Sequence, residues 1–101
     1  MIDLNGKNAL VTGGANGIGK GIAIVLAGQG ANVVVSDVDL EAAQLVASEI
    51  RKSGNRSNSI FLDVTSKDSA QSVASDLIDR LGTIDILVNN AGVVGADGWW
   101  T

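Results

Sequence analysis

The residues of this sequence best suited to chemistry form a glycine-rich stretch near its start. Residues 12–19 read TGGANGIG and contain Gly13, Gly17 and Gly19. A short apolar run precedes the stretch, and apolar residues at helical spacing follow it. Backbone N–H groups at a helix start bind phosphate, and glycine lets a ligand approach the backbone closely. A glycine-rich turn without a ligand is the alternative, but the flanking elements favour a phosphate site.

Two acidic residues stand where further predicted strands end. Asp37 follows Gly19 by 18 positions, and an acidic residue at about this distance accepts hydrogen bonds from the adenosine ribose and repels a 2′-phosphate. Capping of the next helix is the alternative, but Asp39 can already fill that role. Asp63 ends the third strand in the same way. Spacing alone favours two roles for Asp63 equally: accepting a hydrogen bond from adenine, or capping the next helix.

The elements that must position these residues alternate between short apolar runs and longer periodic segments. Strands are predicted at residues 9–11, 33–35, 60–62 and 84–88, and the continuous β-branched run at 33–35 is typical of a strand buried on both faces. Apolar residues at helical spacing fall into three groups: Ile18, Ile22, Val25 and Leu26; Ala43, Val46, Ala47 and Ile50; Ala70, Val73, Ala74, Leu77 and Leu81.

Capping residues and glycines between these segments predict where the helices begin and end. Asp39 is placed to cap the second helix, and residues 65–68, TSKD, fit a capping box for the third. Glycines follow each periodic segment and are expected to end it. The resulting order β-α-β-α-β-α-β predicts an α/β fold with parallel strands. We therefore expect a Rossmann-type doubly wound parallel sheet with strand order 3-2-1-4, truncated where its second half would begin.

Composition removes several classes of function. The 101 residues carry a net charge of −4 and contain no Cys, His or Tyr. Disulfides, thiolate chemistry, the usual zinc ligand sets and histidine acid–base catalysis are thereby excluded. Scattered basic residues and an acidic balance argue against nucleic acid or an anionic membrane as partner. Without a long apolar span or a secretory signal, a cytoplasmic protein is the default expectation.

Taken together, the motifs resemble those of the short-chain dehydrogenase/reductase family. The family pattern Thr-Gly-x-x-x-Gly-x-Gly matches Thr12, Gly13, Gly17 and Gly19, and its Asn-Asn-Ala-Gly pattern matches residues 89–92. The resemblance extends from residue 6 to about residue 93. It implies NAD as cofactor, favours the adenine role for Asp63, and implies these contacts: Gly13, Asn16, Gly17, Ile18, Gly19, Asp37, Asp63, Val64, Asn90, Ala91 and Gly92.

The cofactor preference implied by the resemblance rests on two positions. Members of the family that favour NAD carry an acidic residue at the end of the second strand, as Asp37 does here. Members that favour NADP often carry a basic residue just before the middle glycine, where this sequence has Asn16. The resemblance thus implies hydride transfer between NAD and an alcohol or carbonyl, in a dinucleotide-binding protein.

The family's catalytic residues have no counterpart in this sequence. They are a Ser, a Tyr-x-x-x-Lys pair and an Asn, all downstream of the Asn-Asn-Ala-Gly turn. The sequence contains no Tyr, and all four lysines precede the turn. We therefore expect a nucleotide-binding half-domain over residues 1–93 without the catalytic Ser, Tyr and Lys. A non-catalytic nucleotide-binding module and an assembly protein stay open as alternatives.

Residues 94–101 are predicted to form a C-terminal tail. Trp99 and Trp100 are adjacent and apolar, and such a pair more often packs on the fold or on another chain than closes over a substrate. The fourth predicted strand would stand at the edge of the sheet, with only Asp85 to discourage pairing with another strand. We therefore expect a homo-oligomer, most simply a two-fold dimer through the fourth strand and the tail. The alternative is a monomer whose tail folds back and covers its own sheet.

Overall fold

The computed structural model describes residues 2–90. Strands and helices alternate along this part of the chain, as predicted. Their bounds are β1 (Asn8–Thr12), α1 (Gly17–Gly28), β2 (Asn32–Asp37), α2 (Leu40–Lys52), β3 (Ser57–Phe61), α3 (Lys67–Leu81) and β4 (Ile86–Asn89). The predicted tail and residues 91–93 lie outside the described residues.

The four strands form one parallel sheet in the order β3-β2-β1-β4, which confirms the predicted topology. The two central strands carry the core. Val33, Val34 and Val35 of β2 are all buried, as their continuous β-branched run predicts. One apolar cluster packs β1 and β2 against α1 and α2, and a second packs the opposite face against α3.

The apolar repeat of α1 does not mark the helix face that packs on the sheet. The buried residues of α1 are Gly19, Ala23 and Ala27, whereas Ile18 is 76% exposed and Val25 62% exposed. Small side chains let the helix backbone lie close to the sheet, which an apolar-residue count does not detect. The sequence therefore predicts the helix correctly but not its buried face.

Two strands begin more than one residue away from the predicted start. The third strand starts at Ser57, ahead of the predicted run at 60–62, because the buried Ser57 hydroxyl donates to Val33 O at 2.7 Å and so needs no apolar side chain. The fourth covers Ile86–Asn89 rather than 84–88. Just before it, Asp85 N donates to Asn8 O, and the Asp85 carboxylate accepts from Asn8 N, both at 2.8 Å.

The cap predicted for α2 is confirmed, whereas the cap predicted for α3 is wrong. Asp39 caps α2, with its carboxylate accepting a hydrogen bond from Ala42 N at 3.0 Å. The cap of α3 is Ser66, whose hydroxyl accepts from Ser69 N at 3.1 Å. The predicted box beginning at Thr65 does not form, because Thr65 donates both its N–H and its hydroxyl to Asp63. None of the helices within residues 2–90 is both long and apolar enough to span a membrane.

Candidate functional site: a cleft at the carboxyl ends of the strands

The glycine-rich turn leaves β1 in a conformation that few residues other than glycine adopt. Gly13 has φ +62° and Gly17 has φ +59°, and a side chain strains the backbone in this region. Between them, Gly14 N donates to Ser36 O of β2 at 3.0 Å. The turn is thus fixed to the neighbouring strand rather than projecting freely from the sheet.

Gly19 allows α1 to lie directly against this turn. A Cβ atom at residue 19 would stand 2.1 Å from Gly13 O and 2.4 Å from Asn90 Nδ2. Both distances are far below van der Waals contact, so no other residue fits without displacing the turn. The third glycine of the motif is therefore required by packing between α1, β1 and the end of β4.

The end of β4 is joined to the same turn by hydrogen bonds. Asn90 N donates to Thr12 Oγ1 at 3.0 Å, and Asn90 Nδ2 donates to Gly13 O at 3.2 Å. Thr12 Oγ1 in turn lies 3.2 Å from Val88 O, to which it can donate. The two sequence motifs, far apart along the chain, thus meet at one point and brace each other.

The start of α1 presents backbone donors on an exposed surface. Asn16 is the N-cap residue and makes no side-chain capping hydrogen bond, while its carbonyl accepts from Lys20 N at 3.3 Å. The first N–H groups of a helix have no carbonyl acceptor within that helix and carry its positive dipole end. Asn16, Gly17 and Ile18 are all exposed, so this end of α1 is accessible to an anion.

Asp37 links the end of β2 to the glycine-rich turn. Its Oδ2 accepts a hydrogen bond from Ala15 N at 3.2 Å, and its Oδ1 accepts from Asp39 N at 3.1 Å. These two bonds fix the half-buried carboxylate beside the helix start. The helix-capping alternative for Asp37 is wrong, since Asp39 caps α2.

Asp63 is held by its own loop. Its Oδ1 accepts from Thr65 Oγ1 at 2.6 Å and from Thr65 N at 2.9 Å. The Thr65 hydroxyl, and after it the Thr65 backbone N–H, lower the pKa of Asp63 below its usual value, because both bonds favour the charged carboxylate. The helix-capping alternative is wrong here too, since Ser66 caps α3.

These loops enclose a cleft of about 390 Å³ at the carboxyl ends of the strands. The cleft is lined by Gly13, Asn16, Asp37, Val38, Leu62, Asp63, Val64, Thr65 and Asn90. It therefore brings together six of the residues singled out from sequence. Gly17 and Gly19 belong to the adjoining turn and helix start, and Ile18 is on the exposed side of α1. Ala91 and Gly92 lie outside the described residues.

Three cleft residues were not anticipated from sequence. Val38 follows Asp37 and is 59% exposed, although it is apolar, and Leu62 and Thr65 flank the loop of Asp63. Their shared signal is position within a few residues of a strand's carboxyl end. Val64 was anticipated, but its side chain is only 7% exposed and belongs mainly to the apolar cluster beneath α3.

A parallel sheet in this order, with a glycine turn between its central strand and the following helix, defines a Rossmann-type nucleotide-binding fold. Comparison with known proteins identifies the family. The sequence model described as short chain dehydrogenase matches residues 7–99, and the chain belongs to this family of oxidoreductases.

Relatives of known activity and structure agree with this assignment. The 7alpha-hydroxysteroid dehydrogenase of Escherichia coli (strain K12) is 47% identical over 89 residues, covering 88% of this chain and 35% of that protein. The chain thus spans about a third of the length of this curated relative.

Two solved structures of related proteins carry a nicotinamide dinucleotide. A 7 alpha-hydroxysteroid dehydrogenase complexed with NADH and 7-oxo glycochenodeoxycholic acid is 46% identical, with a TM-score of 0.86 over 92% of this chain and 36% of that one. A metagenomic short-chain oxidoreductase in complex with NADP is 39% identical, with a TM-score of 0.86 over 89% of this chain and 41% of the other. The family relationship therefore supports a nicotinamide dinucleotide without distinguishing NAD from NADP.

Proposed function

We propose that this chain is the NAD-binding portion of an oxidoreductase that transfers a hydride between NAD and an alcohol or carbonyl. The observation that carries the proposal is the position of Asp37, held by Ala15 N and Asp39 N in the cleft beside the glycine-rich turn. A carboxylate at this place accepts hydrogen bonds from ribose hydroxyls. When bound, NAD supplies the hydride chemistry, and the residues described here bind and orient it.

The residues present fit the adenosine half of a dinucleotide. Within residues 2–90, nothing beyond the neighbouring residues and the helix's own backbone lies within 4 Å of where a Cβ of Gly17 would be, so the start of α1 is open to a phosphate. Asn16 does not use its side chain to cap the helix, which leaves this end of α1 uncovered. At the far side of the cleft, Asp63 retains a second carboxylate oxygen beyond the one bound by Thr65, as an acceptor for the adenine amino group.

The charges of the cleft favour NAD over NADP. Asp37 and Asp63 line it, and no Lys or Arg is among the described residues that do so. The basic residue nearest to the glycine-rich turn in sequence is Lys20. It forms an ion pair with Glu49 of α2, with 3.4 Å between Nζ and Oε2. A 2′-phosphate on the ribose would therefore meet a carboxylate without a compensating cation.

Binding of dinucleotide fragments tests which half of the cofactor the chain binds. We expect ADP-ribose and NAD to raise the midpoint of thermal unfolding by similar amounts, and nicotinamide mononucleotide to have no effect. At a hundred times its dissociation constant, a ligand adds about 2.7 kcal/mol to the free energy of unfolding. Unfolding midpoints unchanged by NAD and ADP-ribose would refute the proposal.

We further propose that the proton-transfer groups of the reaction are not supplied by these 101 residues. The sequence contains no Tyr and no His, and the lysines all precede the end of β4. The 101-residue chain mixed with NAD and a set of secondary alcohols is expected to give no NADH absorbance. An absorbance increase proportional to chain concentration would contradict this.

We also propose that the chain self-associates through β4. Within the described residues this strand pairs only with β1, and Leu87 at its centre is 50% exposed. An unprotected edge with an apolar side chain pairs readily with another strand. Sedimentation should show a dimer that Leu87→Lys dissociates and Leu45→Lys, on exposed α2 surface, leaves intact. A monomer at micromolar concentration would refute this self-association.

A cytoplasmic location is also a proposal, made from the sequence alone.

A further inference from the structure

Asn16 and Gly17 form an Asn-Gly pair at the entrance to the phosphate site. Such pairs are chemically labile, because glycine offers no side chain to hinder attack of its backbone nitrogen on the asparagine amide. Asn16 is exposed and its side chain makes no capping hydrogen bond. Gly17 is also exposed, and among the described residues none beyond its chain neighbours and its own helix backbone comes within 4 Å of a would-be Cβ. The Asn16 side chain and the Gly17 backbone are therefore both exposed to solvent.

We propose that Asn16 is a site of spontaneous deamidation that inactivates the phosphate-binding turn. The backbone nitrogen of Gly17 loses its proton to water and attacks Cγ of Asn16, closing a five-membered succinimide ring and releasing the side-chain nitrogen as ammonia. Water then opens the ring. Cleavage of the Cγ–N bond gives aspartate, and cleavage at the main-chain carbonyl gives isoaspartate. The net reaction consumes one water and involves no change of oxidation state.

The chain contains a second Asn-Gly pair, at Asn5-Gly6, which serves as an internal comparison. There Asn5 N donates to Asp3 Oδ1 at 2.9 Å, and the turn around the pair is closed by Lys7 N donating to Leu4 O at 3.0 Å. The Asn5 side chain also lies against Gly30, with its Oδ1 only 2.4 Å from where a Cβ of Gly30 would be. The Asn5 side chain is therefore held against a neighbouring segment, whereas the Asn16 side chain makes no capping hydrogen bond, so Asn16 should react faster.

The consequences of the new charge differ between the free and the bound chain. A carboxylate at a helix N-terminus is favourable, so deamidation to aspartate leaves the fold intact. A phosphate bound at the same helix end would meet a like charge. This second consequence rests on the proposed dinucleotide function, whereas the reaction itself does not. We expect the affinity for NAD to fall roughly tenfold or more.

Peptide mapping of the incubated chain tests the reaction. Trypsin cleavage after Lys7 and Lys20 places Asn5 in peptide 1–7 and Asn16 in peptide 8–20. After incubation of the folded chain in mildly alkaline buffer, we expect the mass gain of deamidation to accumulate faster in peptide 8–20, with fragmentation locating it at Asn16. Asn16 intact while Asn5 reacts, or equal rates at both sites, would overturn the proposal.

Binding by fresh and incubated chains tests the consequence. Wild type and Asn5→Ser are both expected to lose affinity for NAD on incubation, whereas Asn16→Ser keeps whatever affinity it begins with. NAD present during incubation should slow the reaction at Asn16 but not at Asn5. Equal loss of affinity by Asn16→Ser would overturn the proposed consequence. Failure of the fresh wild-type chain to bind NAD would instead refute the proposed function, and peptide mapping would still decide whether Asn16 reacts.

Discussion

The two sides of the cleft are held together by different kinds of contact. On the side of β1, β2 and β4, the contacts that join one strand end to another link residues far apart in sequence, such as Ala15 with Asp37 and Gly13 with Asn90. On the side of β3, the side-chain contacts are local, with Asp63 bonded to Thr65 and Ser66 to Ser69, and a backbone bond from Leu62 N to Asp37 O links this side to β2. The first side exists only when the sheet has formed, whereas the side-chain contacts of the second lie within one loop.

The difference predicts how substitutions act at each side. A change on the β1 side should disturb folding and ligand binding together, because the same contacts join the strands and shape the site. A change on the β3 side should act on one loop and leave the rest of the sheet unaffected. Four substitutions, in decreasing order of expected effect, test this.

Gly19→Ala should be the most damaging substitution. The added methyl would lie 2.1 Å from Gly13 O, and relief of such a clash requires the turn to move. Overpacking of this kind costs about 3 kcal/mol of the free energy of unfolding, measured by urea titration. The added methyl of Gly21→Ala in the same helix meets no atom within 4 Å from the described residues beyond its neighbours and its own helix backbone, and the substitution should instead stabilise the chain by about 0.5–1 kcal/mol. Equal effects of the two substitutions would contradict the close approach of α1 to the turn.

Asp37→Ala should lower stability as well as NAD affinity. Ala15 is only 8% exposed, and its N–H would lose the acceptor that Asp37 provides. An unsatisfied buried donor costs about 2 kcal/mol, read from the shift of the urea midpoint. Asp37→Asn retains an acceptor oxygen and should cost less. If Asp37→Ala unfolded at the same urea concentration as wild type, Asp37 would not brace the turn.

Ser66→Ala should have a smaller effect, confined to α3. Its hydroxyl caps the helix through Ser69 N, and removal of such a cap costs about 1 kcal/mol. Ser75→Ala, at an exposed position within the same helix, is the matched control and should not destabilise. NAD affinity is expected to stay within error of wild type. A loss of affinity as large as that of Asp37→Ala would show that the two sides are not independent.

Thr65→Val should have the smallest effect and act mainly on the pKa of Asp63. The Thr65 hydroxyl is the main cause of the lowered pKa, so its loss should raise that pKa toward the ordinary value, as followed by NMR of the carboxyl carbon. A lowered carboxyl pKa stabilises the fold above the unfolded-state pKa, and this contribution is lost as pH falls through the folded-state pKa. The stability difference between variant and wild type should therefore vanish in acid. An unchanged pKa would contradict the hydrogen bond.

The same division explains what could be predicted from sequence. Periodicity, capping residues and glycines, all local to each segment, predict the element order, the strand order and the cap at Asp39. The spacing predicts Asp37 as a site residue, but its bond to Ala15 N appears only when β1 and β2 are adjacent. The meeting of Asn90 with Gly13 likewise requires β4 to pair with β1.

The sequence-based predictions failed where small or polar residues occupy positions expected to be large and apolar, or where another hydrogen bond engages a predicted capping residue. Ser57 continues a strand because its hydroxyl is satisfied by Val33 O. Ala23 and Ala27 pack α1 on the sheet, while the larger Ile18 faces away. Thr65 resembles a helix cap in sequence but is taken up by Asp63, which leaves capping to Ser66. In each case a competing hydrogen bond or a close backbone approach overrides the local pattern.

The proposed role of Asp37 in NAD binding is tested by the ratio of the dissociation constants for NADP and NAD. Isothermal titration of both dinucleotides into wild type and Asp37→Asn gives the two ratios under one set of conditions. We expect wild type to bind NAD about tenfold or more tightly than NADP, and Asp37→Asn to bring the ratio close to one, because repulsion of the 2′-phosphate is removed. Wild type binding NADP as tightly as NAD, or a ratio unchanged in Asp37→Asn, would show that Asp37 does not set the cofactor preference.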